Sequence, residues 1–147
     1  MIKHYIIDGN NVIGRNKDLM KDKINSRSRL RFIMEKYFID KKVSVNLYFD
    51  GHEKEKIKSD KLKIIYSNNH PADDLIRDEI AQTKNCKTVC LVTSDLPLAE
   101  FGKKNSCTIK SSDEFLRGIS VNKKSNEKES AAESISNSEM MKLFGLK

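Results

Sequence analysis

The sequence predicts an α/β domain: a doubly wound, three-layer α/β/α sandwich with a mainly parallel sheet of about five strands. Three observations lead there. Short apolar runs alternate with segments of helical periodicity, which is the order of βαβ units. The runs are apolar at successive positions, as in strands buried on both faces. The chain has 147 residues, enough for one sizeable core and too few for two.

Tyr5, Ile6 and Ile7 form the first strand, which ends in Asp8. Gly9-Asn10-Asn11 follows and reads as a turn. Over residues 26–40, Leu30, Ile33, Met34, Tyr37 and Phe38 recur at helical spacing, with Ser26 placed to cap. Residues 43–49 form the second strand, closed by Asp50-Gly51. Residues 52–61 are rich in lysine and read as an exposed loop or short helix. Residues 62–67 give the third strand, and a loop with Pro71 leads to a helix opened by Asp73-Asp74, where acids suit the helix dipole. Residues 88–93 are the fourth strand, followed by Ser94-Asp95 and a helix over 96–103 with Pro97 in its first turn. Residues 106–110 form a short fifth strand, and 111–119 a helix with Phe115 and Ile119 on one face. Composition then changes. Residues 120–138 are dominated by Ser, Asn, Lys and Glu and read as a flexible polar linker, while 139–147 read as a short helical segment that needs a docking surface. The domain reading is therefore 1–119, a linker over 120–138, and a terminal segment over 139–147.

Lys and Arg total 28 against 21 Asp and Glu, a formal net charge of +7. This balance suits a phosphate-rich partner. No run approaches the roughly 18–20 apolar residues that span a bilayer, and the dense apolar runs exclude a wholly disordered chain. Cys86, Cys90 and Cys107 are odd in number and unpatterned, so they read as reduced thiols, neither a disulfide framework nor a zinc site. With no signal peptide ahead of the first strand, the expected location is the cytoplasm.

Sites in open α/β sheets form at the carboxyl ends of strands, near the topological switch point. Asp8, Asp50 and Asp95 end three strands, and the loop after the third strand leads to Asp73 and Asp74. Any one of these acids alone is equally well a cap or turn residue. Together they form a repelling cluster that protons or a cation must compensate. Oxygen donors select Mg²⁺ or Mn²⁺. A carboxylate-lined site of that kind most often handles phosphate esters, through a metal-activated water.

At these residues the sequence resembles a known family. Residues 7–14, beginning Ile7-Asp8-Gly9-Asn10-Asn11, are similar to the opening motif of NYN domains, the PIN-like nucleases, and in particular their YacP-like branch. The similarity continues through Tyr48-Phe49-Asp50, Ala72-Asp73-Asp74-Leu75-Ile76, Val92-Thr93-Ser94-Asp95 and Ser111-Ser112-Asp113-Glu114-Phe115-Leu116. The resemblance implies a PIN-like fold and a metal-dependent endoribonuclease, with mRNA at the ribosome as the target of some members. It implies Asp8, Asp73 and Asp95 as central metal-binding acids, Asp74 as a further catalytic acid and Asp50 as a metal-binding acid at the edge. Asn11 would orient Asp8 or a water. Asn10 departs from the family, which often has an aromatic residue there, and the C-terminal tail departs from the branch's basic ending.

Around this core, Arg15 and Lys17 read either as phosphate contacts or as solvated charges. Ser94 and Thr93 read either as hydrogen-bond partners of the acids, with Ser94 beside bound RNA, or as strand-end turn residues. Of Arg27, Arg29 and Arg31, at most two share a helix face. Lys54, Lys56, Lys58, Lys61 and Lys63 read as a solvated surface with diffuse attraction for RNA. His52 and His70 flank the acidic mouth as surface residues, and His4 reads as structural. Tyr48 and Tyr66 fit strands. No Ser-His-Asp or Cys-His arrangement is evident. A haloacid-dehalogenase-like phosphatase wants Asp where Asn10 stands, and a response-regulator receiver wants an acid pair where Gly9 follows Asp8. The leading expectation is cleavage of single-stranded RNA with Mg²⁺ or Mn²⁺, and the alternative is a non-catalytic RNA- or ribosome-binding module. Oligomeric state is left open.

Overall fold

A computed structural model of the chain describes residues 1–53 and 57–129. Five parallel strands lie in the order β3-β2-β1-β4-β5. They are β1 (His4–Asp8), β2 (Ser44–Phe49), β3 (Leu62–Tyr66), β4 (Val89–Val92) and β5 (Thr108–Lys110). The order grows outward from β1 in both directions, so the connections reverse between β1 and β4. In register, Ile7 lies opposite Leu47 on one side and Val92 on the other.

Successive strand side chains point to opposite faces, and each face has its own core. One face gathers Ile7, Leu47, Phe49 and Val92 with Val12, Leu30, Ile33, Met34, Phe38, Phe115 and Ile119. These come from helices α1 (Gly9–Gly14), α3 (Ser26–Phe38) and α6 (Ser112–Glu129), with Leu19 from the short α2 (Lys17–Lys21). The other face gathers Ile6, Tyr48 and Leu91 with Ile76, Ile80 and Leu98, from α4 (Ala72–Gln82) and α5 (Leu96–Lys104). Each fully buried aliphatic side chain of this kind contributes about 1.5–3 kcal/mol.

The structure departs from the sequence reading at several places. Gly9-Asn10-Asn11 is not a free turn but the opening of α1. Val12 and Ile13 are buried, and their packing outweighs the low helix propensity of Gly and Asn. Ser26 does not cap α3: Asn25 holds the cap position and neither side chain closes a capping bond there. Ile57, within the lysine-rich stretch, is buried, whereas Lys58 and Lys63 are exposed. Lys61 Nζ donates to the carbonyl of Lys41 at 2.6 Å. Helix α6 runs on to Glu129, well past Ile119. Lys54, Lys56 and the expectations for residues 130–147 lie outside the described residues. Among the described residues no helix is long and apolar enough to cross a membrane.

Candidate active site at the switch point

Asp8 ends β1 at the switch point and is the N-cap residue of α1. It is 9% exposed. Burial pushes its carboxyl up to about 6, opposed by hydrogen bonds from Thr93 and the Asn11 backbone and reinforced by the charges of Asp50 and Asp95. Thr93, buried at the end of β4, joins two of these acids. Its hydroxyl donates to Asp8 Oδ2 at 3.0 Å and accepts the Asp95 N–H at 3.1 Å. Asp95 caps α5 by accepting the Leu98 N–H at 3.1 Å. Its capping role and its place beside Asp8 are compatible, because a carboxylate has acceptor sites to spare.

The two asparagines of the Asp-Gly-Asn-Asn motif tie the flanks together. Asn11 Oδ1 accepts the Ser94 N–H at 2.8 Å and the Ser112 hydroxyl at 2.7 Å, and Ser112 N–H donates to Ser94 Oγ at 3.0 Å. Asn10 Oδ1 accepts the Asp50 N–H at 2.8 Å on the other side. Gly9 lets α1 approach β2 so closely, because a Cβ there would stand 2.6 Å from Tyr48 O and from Phe49 Cε1.

Asp50 accepts the Ala72 N–H at 2.7 Å and so holds the first turn of α4, which carries Asp73 and Asp74. Asp73 lies 3.8 Å from Arg77. Asp74 faces an open depression with His70, Leu75, Arg77 and Asp78. Arg15 makes a forked ion pair with Asp113, closest at 2.5 Å, and this partner holds the Asp113 carboxyl below its ordinary value. Lys17 is exposed on α2. Arg27 donates to the Asp50 carbonyl at 2.5 Å, while Arg29 pairs with Asp18 and Arg31 with Glu35. His52 bonds Asn69, and His4 bonds Glu79. The three cysteines are free thiols.

The structure therefore brings Asp50 and Asp95 within electrostatic reach of Asp8 and places the Thr93 hydroxyl between Asp8 and the Asp95 N–H. Ser94 is half-buried, its N–H donating to Asn11 and its hydroxyl oxygen accepting the Ser112 N–H. Ser112, fully buried and bonded to Asn11, was missed as a site residue in the sequence, where a Ser at a helix start signals only a cap. The acids offer only oxygen donors, and Asp8, raised chiefly by burial and further by the charges of Asp50 and Asp95, is the kind of group a hard divalent cation would relieve, so the chemistry fits Mg²⁺ or Mn²⁺. Among the described residues no three His, Cys, Asp or Glu side chains stand ready to grip one ion.

A parallel doubly wound sheet with acids at the ends of its central strands is an α/β fold that several classes of enzyme share. The model of the YacP-like NYN domain matches residues 5–143, and the chain belongs to that family. A crystal structure of Rae1 (YacP) from Bacillus subtilis is 26% identical, with a TM-score of 0.69 over 95% of this chain and 90% of that one. A mutant form of the same protein superposes with a TM-score of 0.75 at 23% identity, over 97% and 92% of the two chains. No curated protein matches the sequence.

Proposed function

We propose that the protein is a metal-dependent endoribonuclease that hydrolyses single-stranded RNA, with mRNA at the ribosome as its setting. The observation that carries this reading is the Asp8–Thr93–Asp95 bridge at the switch point. Asp8, Asp73 and Asp95 would hold Mg²⁺ or Mn²⁺, and Asp74 directly follows Asp73. When bound, the ion supplies an activated water and neutralises charge on the phosphate. The chain's own residues do the rest. Thr93 fixes the Asp8 carboxylate by its hydroxyl. Asn11 ties the start of α1 to the Ser94 backbone N–H and the Ser112 hydroxyl, which would help Asp8 and Asp95 keep their separation. Arg15 and Lys17 would contact phosphates, with Ser94 at the rim. No covalent enzyme intermediate is required.

The test is cleavage of a mixed-sequence single-stranded RNA with Mn²⁺, Mg²⁺ or EDTA. Wild type is expected to cut with metal and to stop in EDTA. Asp8→Asn, Asp73→Asn and Asp95→Asn should each lower the rate at least about a hundredfold. Retention of full activity by all three would reject the site. The Asp50 and Asp95 carboxylates each accept a helix N–H, and this structural use of the acids favours a second reading, an RNA- or ribosome-binding module. That reading expects RNA or ribosome capture without metal-dependent turnover.

A further inference from the structure

Asp50 is held at three of its polar groups. Its N–H donates to Asn10 Oδ1 at 2.8 Å, its carbonyl accepts from Arg27 at 2.5 Å, and its carboxylate accepts the Ala72 N–H at 2.7 Å. The Arg27 guanidinium is itself pinned over the rings of Phe49 and Tyr66, at 5.1 and 5.7 Å. The Ala72 bond answers a specific need of α4. The Ala72 N–H is among the first N–H groups of the helix, which have no intrahelical partner, and the Pro71 N-cap brings no side-chain acceptor to this end. Asp50 supplies that acceptor from another loop, and its charge suits the helix N-terminus.

We propose that Asn10 and Asp50 are positioning residues: a relay from the Asn10 amide oxygen through Asp50 to the Ala72 N–H sets where α4 begins, and with it the Asp73 and Asp74 carboxylates. The inference rests on the nuclease reading for its catalytic consequence, but not for the relay itself. Adjacent residues on a helix diverge by roughly 100°. Asn10 and Asn11 therefore reach opposite flanks of β1, one toward β2 and α4, the other toward β4 and α6. Asp50 then acts through hydrogen bonds and not through its charge on a metal. This assigns a use to Asn10.

The experiment compares full-length wild type with Asn10→Ala, Asp50→Ala, Asp50→Asn and the double alanine variant. Amide hydrogen exchange in EDTA is one readout, and steady-state RNA cleavage with Mn²⁺ is the other. Asn at position 50 keeps an acceptor oxygen, so Asp50→Asn should leave the Ala72 amide slow and lower kcat less than Asp50→Ala does. Asn10→Ala and Asp50→Ala should speed Ala72 exchange, with Ile6 and Ile7 amides still protected, and lower kcat roughly ten- to a hundredfold at nearly constant KM. The double variant should be no worse than Asp50→Ala, because both substitutions break one chain. Unchanged Ala72 exchange in Asp50→Ala or Asn10→Ala would overturn the relay. So would an Asp50→Asn protein as inactive as Asp50→Ala with its Ala72 amide still protected, since charge would then be the requirement. If Asn10→Ala does not fold, the two Asp50 variants decide. If wild type cuts no RNA, the nuclease reading fails and the exchange data alone judge the relay.

Discussion

Asp8 carries the largest electrostatic cost at the site. An acid raised in the folded state favours folding only while protonated. The benefit is complete below its ordinary value of 3.8 and is lost as pH rises to about 6. Metal-free protein should therefore lose stability across that window, by at most about 3 kcal/mol from this group. Asp8→Asn should remove the loss and be more stable than wild type at neutral pH. Urea unfolding in EDTA on both sides of the window checks this, and a wild-type curve no steeper than the variant's would reject it. Gly9 is the steric counterpart. Its missing Cβ leaves room for Tyr48 O, a backbone atom that cannot swing aside. Gly9→Ala is expected to cost about 1–3 kcal/mol, read as a lower thermal midpoint.

At the scale of elements, α4 is tied to the sheet at two points. Asp50 holds its start, and Glu79 holds its middle. Glu79 accepts from Asn46 at 2.9 Å and from the Tyr48 hydroxyl, and lies 2.8 Å from His4 Nε2. Burial works to raise the Glu79 carboxyl, but the bonds from His4, Tyr48 and Asn46 outweigh it and hold it below its ordinary value. Its contribution is thus present above the ordinary carboxylate range and lost as pH falls through the lowered value. Glu79→Ala leaves three polar groups without their shared acceptor and should cost about 2–3 kcal/mol in denaturant unfolding. A loss below about 0.5 kcal/mol would show the network to be dispensable. Helix α3, which sequence periodicity found, has a clear apolar stripe of Leu30, Ile33, Met34 and Phe38. Helix α1 has no such stripe over its Gly-Asn-Asn opening, and is made by burial of Val12 and Ile13 and by bonds from Asn10 and Asn11 to distant loops.

For the whole molecule, the net charge of +7 predicts RNA binding that weakens steeply with salt. A plot of log affinity against log salt is expected to slope at about −2 or steeper. A flat plot would exclude phosphate contacts. The sequence by itself determined the class of fold and the set of strands, because burial on both faces of a parallel sheet leaves continuous apolar runs. It also marked Asp8, Asp50 and Asp95 as strand-end acids. Tertiary structure alone decided the order β3-β2-β1-β4-β5 and the choice of acids that meet. It likewise decided the partnerships of Asn10 with Asp50, Asn11 with Ser94, and Asn11 with Ser112, across 40, 83 and 101 positions of chain. Local patterns record which face of an element is apolar. They carry no trace of which distant donor a short polar side chain will find, since that choice is made only when the strands have taken their places.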